Sequence, residues 1–143
     1  MSASAAKPDR LLLFAGGLAT FTAIVHIFMG TPEVYQPLLS SSLPQPISLL
    51  LLACWHLVSV VLVASGAALL WGALPNNRSH ASILALFVSV TWLVFGLVFI
   101  AIAVTFQGLS GLAVLPQWTL LLPVGVLAGA AGLRSNGTIS REA

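Results

Sequence analysis

The chain has 143 residues, 59% of them hydrophobic and 6% charged, with a formal net charge of +2 and a mean hydropathy of +1.07. Soluble domains carry roughly 25% charged residues, so this composition excludes a water-facing surface around the whole molecule. With no basic run and no aromatic–basic interleaving, it also excludes a nucleic-acid face and gives no site for a soluble anionic substrate.

Residues 1–10 form a short polar tail that includes Lys7, Pro8, Asp9 and Arg10. Residues 11–29 are the first apolar stretch. The run exceeds the roughly 7–15 residues of a signal-peptide core and ends at residues 26–30 with no small-x-small cleavage site, which predicts a retained signal-anchor helix. In the following connection, residues 30–46, Thr31-Pro32-Glu33 reads as a helix cap, a first-turn proline and a first-turn acid. That predicts a short helix along the outer interface, carrying Val34, Tyr35, Leu38 and Leu39. The second stretch, residues 47–74, opens behind Pro46 and places Trp71 at headgroup level near its far end. Residues 75–79, Pro-Asn-Asn-Arg-Ser, form a tight turn, and residues 81–106 form the third stretch. A Gly-rich, uncharged connection spans residues 107–116, the fourth stretch runs over about 115–133, and residues 134–143 are a tail. A bilayer crossing takes about 20 apolar residues. The expected fold class is therefore an all-α membrane protein: an antiparallel four-helix transmembrane bundle with a short interfacial helix in its first outer loop.

Orientation follows from charge. Lys7, Arg10, Arg78, Arg134 and Arg141, the whole Lys and Arg complement, fall on one side of the four stretches. Cytoplasmic loops of membrane proteins concentrate Lys and Arg, which predicts that both termini are cytoplasmic in a bacterial-type inner membrane. The single cysteine, Cys54, lies within the second span, so no intrachain disulfide forms and the thiol is expected to pack as a small apolar group. Small residues recur at helix-contact spacing: Ala64, Ala68 and Gly72 in span two, Gly125 and Gly129 in span four. Such stripes let helix backbones approach closely in lipid.

An ionisable side chain inside a membrane is costly and is a functional hypothesis by default. His26 near the outer end of span one and His56 in span two are the two cases. At about 1.5 Å per residue, each lies about 22 Å from the cytoplasmic edge of its span, so both imidazoles are expected in the outer third of the bilayer. Phe99 of span three and Trp118 of span four reach the same layer. Trp55 adjoins His56, and Glu33 sits just above His26. A pocket of His26, His56 and Glu33 with walls from Trp55, Phe99 and Trp118 suits several chemistries. Haem b between two neutral imidazoles is one, although no Arg or Lys on the outer side would meet its propionates. A copper or zinc site on His26, His56 and Glu33 is another, and a quinone stacked on Trp55 or Phe99 a third. Against these stand structural roles: interface bonding for His26, helix locking for His56, a membrane belt for Trp118 and Trp71, and a solvated loop position for His80.

No Ser/His/Asp set, carboxylate pair, phosphate loop or CxxC is present, which argues against an enzyme. The leading reading is a small multi-pass membrane protein, an accessory or structural subunit. Its expected partners are the lipid bilayer and either a larger membrane-protein complex or copies of itself, and this reading needs no cofactor. The alternative is a metal-, haem- or quinone-binding redox component using His26 and His56.

Overall fold

The computed structural model describes residues 7–142, with side chains from residue 7 to residue 134. It is helical throughout, and no strand occurs among the described residues. The helices are α1 (Arg10–Val25), α2 (Thr31–Leu39), α3 (Gln45–Gly72), α4 (Arg78–Gln107), α5 (Gly111–Val114) and α6 (Trp118–Glu142). Residues 1–6 and 143, and the side chain of Arg141, lie outside this description. The stretches Arg10–Leu39, Gln45–Gly72 and Pro75–Val114 are each long and apolar enough to cross a membrane, and Trp118–Arg134 is a shorter apolar helix.

Each boundary has a local cause. Asp9 caps α1, its Oδ1 accepting from the amides of Leu11 and Leu12 at 2.9 and 3.1 Å. Pro46 lies in the first turn of α3, where a proline costs no helical hydrogen bond. At the end of α4, Gly108 turns the chain with φ +66°, a backbone region that side chains with a Cβ disfavour. The connection read as a Gly-rich loop is tightly wound: a 3₁₀ turn over Gly108–Ser110 leads into α5. A Cβ at Gly111 would collide with the Ala103 carbonyl oxygen, so glycine is what lets this turn fold back on α4.

The short helix expected in the first outer connection is present as α2, but Thr31 does not cap it and no break separates it from α1. α1 passes through a π-helical turn, His26–Gly30, and continues unbroken into α2, with Gly30 and Thr31 both in helical conformation. The reason lies at Pro32, which has no amide hydrogen and whose ring crowds the carbonyl four residues earlier. Opening the preceding turn to i→i+5 spacing accommodates the proline without ending the helix.

α1 packs on α3 and α4 on α6, while α1 also touches α6 and α3 touches α4, closing a ring of four helices. The contacts of each main pair run in opposite sequence directions. Gly16 faces Leu70 and Gly66 faces Thr20 across α1 and α3. Across α4 and α6, Gly132 faces Ser82 and Leu86, Gly129 faces Ser89, Gly125 faces Leu93, and Gly96 faces Leu122.

The interior is built from small residues. Ala15, Ala19, Ala85 and Ala128 are fully buried, joined by the hydroxyls of Thr22, Ser65, Ser82 and Ser89. Thr22 and Ser65 return their hydroxyl hydrogens to the carbonyls of Leu18 and Val61 one turn back. Ser82 instead donates across the interface to the Gly132 carbonyl at 2.9 Å, joining α4 to α6. Trp92 is the largest fully buried side chain among the described residues, followed by Leu12 and Leu69. The big apolar side chains point outward: Phe14, Leu57, Val60, Ile83, Phe87 and Phe106 are all exposed. This distribution inverts that of a soluble bundle and suits residence in a membrane, where close backbone packing replaces hydrophobic sequestration.

The small-residue stripe of α3 is rotated from the one read in sequence. Ala64 is exposed and Ala68 half-buried, while Leu62, Ser65, Gly66, Leu69 and Gly72 form the buried face. Gly72 approaches Ala81. In α6, Gly125 and Gly129 both sit at the α4 interface, where an added Cβ would come within 2.8 Å of Leu93 and 2.7 Å of the Ser89 hydroxyl.

Candidate functional site

The π turn brings together a small cluster centred on Trp55. Widening the helix at residues 26–30 turns His26 toward α3, where its ring stacks on the Trp55 indole with centroids 4.0 Å apart and planes 19° from parallel. His26 Nε2 lies 3.4 Å from the Trp55 carbonyl oxygen, which also accepts from the Ser59 hydroxyl at 3.2 Å. A carbonyl only accepts, so in this long contact Nε2 is the donor. The indole Nε1 donates to the Thr31 hydroxyl at 3.0 Å. Beneath the ring, Gly30 leaves just enough room: a Cβ there would sit 2.9 Å from the far edge of the indole. Trp55 is thus held by a stack, a hydrogen bond and a glycine shelf, all from one helical turn and a half of the α1–α2 segment.

The expected pocket is not assembled as such. His26 pairs with Trp55 and not with His56. Successive side chains on a helix are about 100° apart, and His56 emerges on an exposed face of α3. Glu33 is exposed on α2. Among the described residues no three His, Cys, Asp or Glu side chains gather closely enough to hold a metal ion, so His26, His56 and Glu33 do not form a three-ligand set. An axial bond to haem through Nε2 of His26 would require giving up the Trp55 carbonyl. Phe99 is half-buried against the core. Trp118 stands apart, donating from Nε1 to the Leu112 carbonyl at 3.1 Å and lining an open apolar groove with Leu122, Pro123 and Val126.

Two features escaped the sequence reading. Gly30 and Thr31 act as the seat of Trp55, but their dipeptide resembles an ordinary helix start. Trp92 is buried in the centre of the bundle, and among the described residues its indole N–H has no hydrogen-bond partner.

The fold and the site therefore describe an apolar, all-helical protein with an aromatic latch at one end and its described basic side chains at the other. No protein-family model matches the chain, and comparisons with characterised proteins and with solved structures give no match.

Proposed function

We propose that the chain is an accessory subunit: an antiparallel four-helix transmembrane bundle, both termini cytoplasmic, that docks onto a larger membrane-protein complex or onto its own copies through α3. One observation carries this reading. In its most apolar window α3 is only 11% buried, against 33% for Arg10–Leu39 and 28% for Pro75–Val114. The face left open carries Cys54 and His56 among leucines and valines. A polar, ionisable imidazole on a lipid-facing surface is costly, and such groups normally face protein or a water-filled cavity. A partner helix laid along α3 supplies that environment.

Cys54 makes the reading testable, because the chain has one cysteine. Mild oxidation or a short thiol cross-linker in native membranes should trap Cys54 to a discrete product. A product of twice the chain mass indicates self-association, and a larger one identifies the partner complex. His56→Leu and Ala64→Leu should leave the isolated protein folded while sharply reducing that product. Cross-linking that yields only monomer at native expression, with the protein still functional, would end the proposal.

A further inference from the structure

Lys7, Arg10 and Arg78 are gathered at one end of the bundle by two hydrogen bonds that join distant parts of the chain. The amide of Asp9 donates to the Ala73 carbonyl at 3.0 Å, and Arg78 Nη2 donates to the Lys7 carbonyl at 2.6 Å. The segment leading into α1 is thereby fixed against the turn between α3 and α4. All three cations are exposed. Among the described residues no carboxylate pairs with them, since Asp9 directs its Oδ1 to the first amides of α1. The same turn holds an aromatic surface: Trp71 stacks on His80 at 6.1 Å between centroids, and Asn77 Nδ2 donates to the Trp71 carbonyl at 2.9 Å. Trp71 is 46% exposed.

We propose that this end is a binding site for the phosphate of an anionic lipid headgroup. Three exposed cations within one hydrogen-bonded surface supply the charge. The Arg78 guanidinium has donors beyond the one given to Lys7, and its planar fork suits phosphate oxygens. Trp71 provides the amphipathic ring that settles at headgroup depth. The inference rests on the membrane reading above. Within that reading it commits to a lipid and not to free phosphate, because the cations ring the end of an apolar bundle at the level where headgroups lie.

The test uses the full-length protein in mild detergent, offered equimolar phosphatidylglycerol and phosphatidylcholine and examined by native mass spectrometry. Wild type should retain phosphatidylglycerol preferentially. Arg10→Gln, which removes an exposed cation, should reduce that preference about fivefold. Lys7→Gln/Arg10→Gln/Arg78→Gln should reduce it further, and Glu33→Gln at the opposite end should not change it. Equal retention of the two lipids by wild type, or an unchanged preference in both basic-end variants, overturns the site. Displacement of the lipid by inorganic phosphate at matching concentration reassigns the ligand and overturns the lipid assignment. Carbonate extraction of native membranes is read in parallel. Protein that stays in the membrane yet shows no preference refutes only this site, whereas protein released by carbonate refutes the membrane reading itself.

Discussion

At the scale of single residues, the two tryptophans inside the bundle pose opposite questions. Trp55 has every polar requirement met, by Thr31 and by its stack on His26. Aromatic pairs of this kind contribute about 0.5–1.5 kcal/mol beyond their buried area. A double-mutant cycle of His26→Ala and Trp55→Ala, read by reversible unfolding in mixed micelles, should return a coupling in that range. A coupling near zero would mean that the rings touch without holding anything. Trp92 is fully enclosed, and among the described residues its N–H has no partner. An unsatisfied buried donor costs about 1–3 kcal/mol, and truncating a buried aromatic to alanine costs about 3–5 kcal/mol. Trp92→Phe removes the orphan donor and keeps most of the ring, so it should lie within about 1 kcal/mol of wild type while Trp92→Ala loses about 3–5. A large loss in Trp92→Phe would show that the N–H has a partner after all.

Between elements, the decisive contact is that of the π turn with α3. Gly30→Ala places a methyl against the outer ring of Trp55, and overpacking of this kind costs about 1–3 kcal/mol. Phenylalanine lacks that outer ring, so Trp55→Phe should relieve the clash, and the Gly30→Ala/Trp55→Phe double variant should be more stable than additivity allows. Strict additivity would show that Gly30 serves the π turn's backbone and not the indole.

The same contacts show why some of this architecture was legible in the sequence and some was not. Long apolar runs fix where helices lie, and the boundaries near residues 10, 45, 78 and 107 follow from Asp9, Pro46, the Pro75-Asn76-Asn77 turn and Gly108. Rotation is harder, because in these spans apolar residues occupy every face and no polar stripe marks the outside. Size is the remaining signal. It works for Ala15, Ala19 and Ala85, misleads at Ala64, and is inverted at Trp92. Counting residues puts His26 level with the Trp55–His56 turn, and His26 does stack on Trp55. The count does not fix which way either histidine points, because a single π turn re-aims the first and helix phase directs the second outward. Ala19→Leu and Ala64→Leu separate these cases. The first should disrupt the α1–α3 contact and lower stability by about 1–3 kcal/mol, and the second should leave the isolated fold within about 0.5 kcal/mol.

For the whole molecule, the question is which way such a bundle sits. Shape and hydropathy do not decide it, since both ends are closed by short connections and both carry aromatic residues. Charge does. Lys7, Arg10, Arg78 and Arg134 share one end, and the connections at the other contain neither Lys nor Arg. Each translocated Lys or Arg is unfavourable, so inversion would carry the entire basic complement across. A fluorescent reporter fused after Ala143 should therefore fold in the cytoplasm, and an export-dependent phosphatase inserted among Ser40–Ser42 should be active. Because the preference is summed over several residues, it should also be tunable. Lys7→Gln/Arg10→Gln combined with lysines at Ser41 and Ser42 should divert a measurable fraction of molecules to the opposite orientation, whereas Glu33→Gln should not. Phosphatase activity after Ala143 in the wild-type chain would overturn the orientation, and would move the anionic-lipid site to the other leaflet.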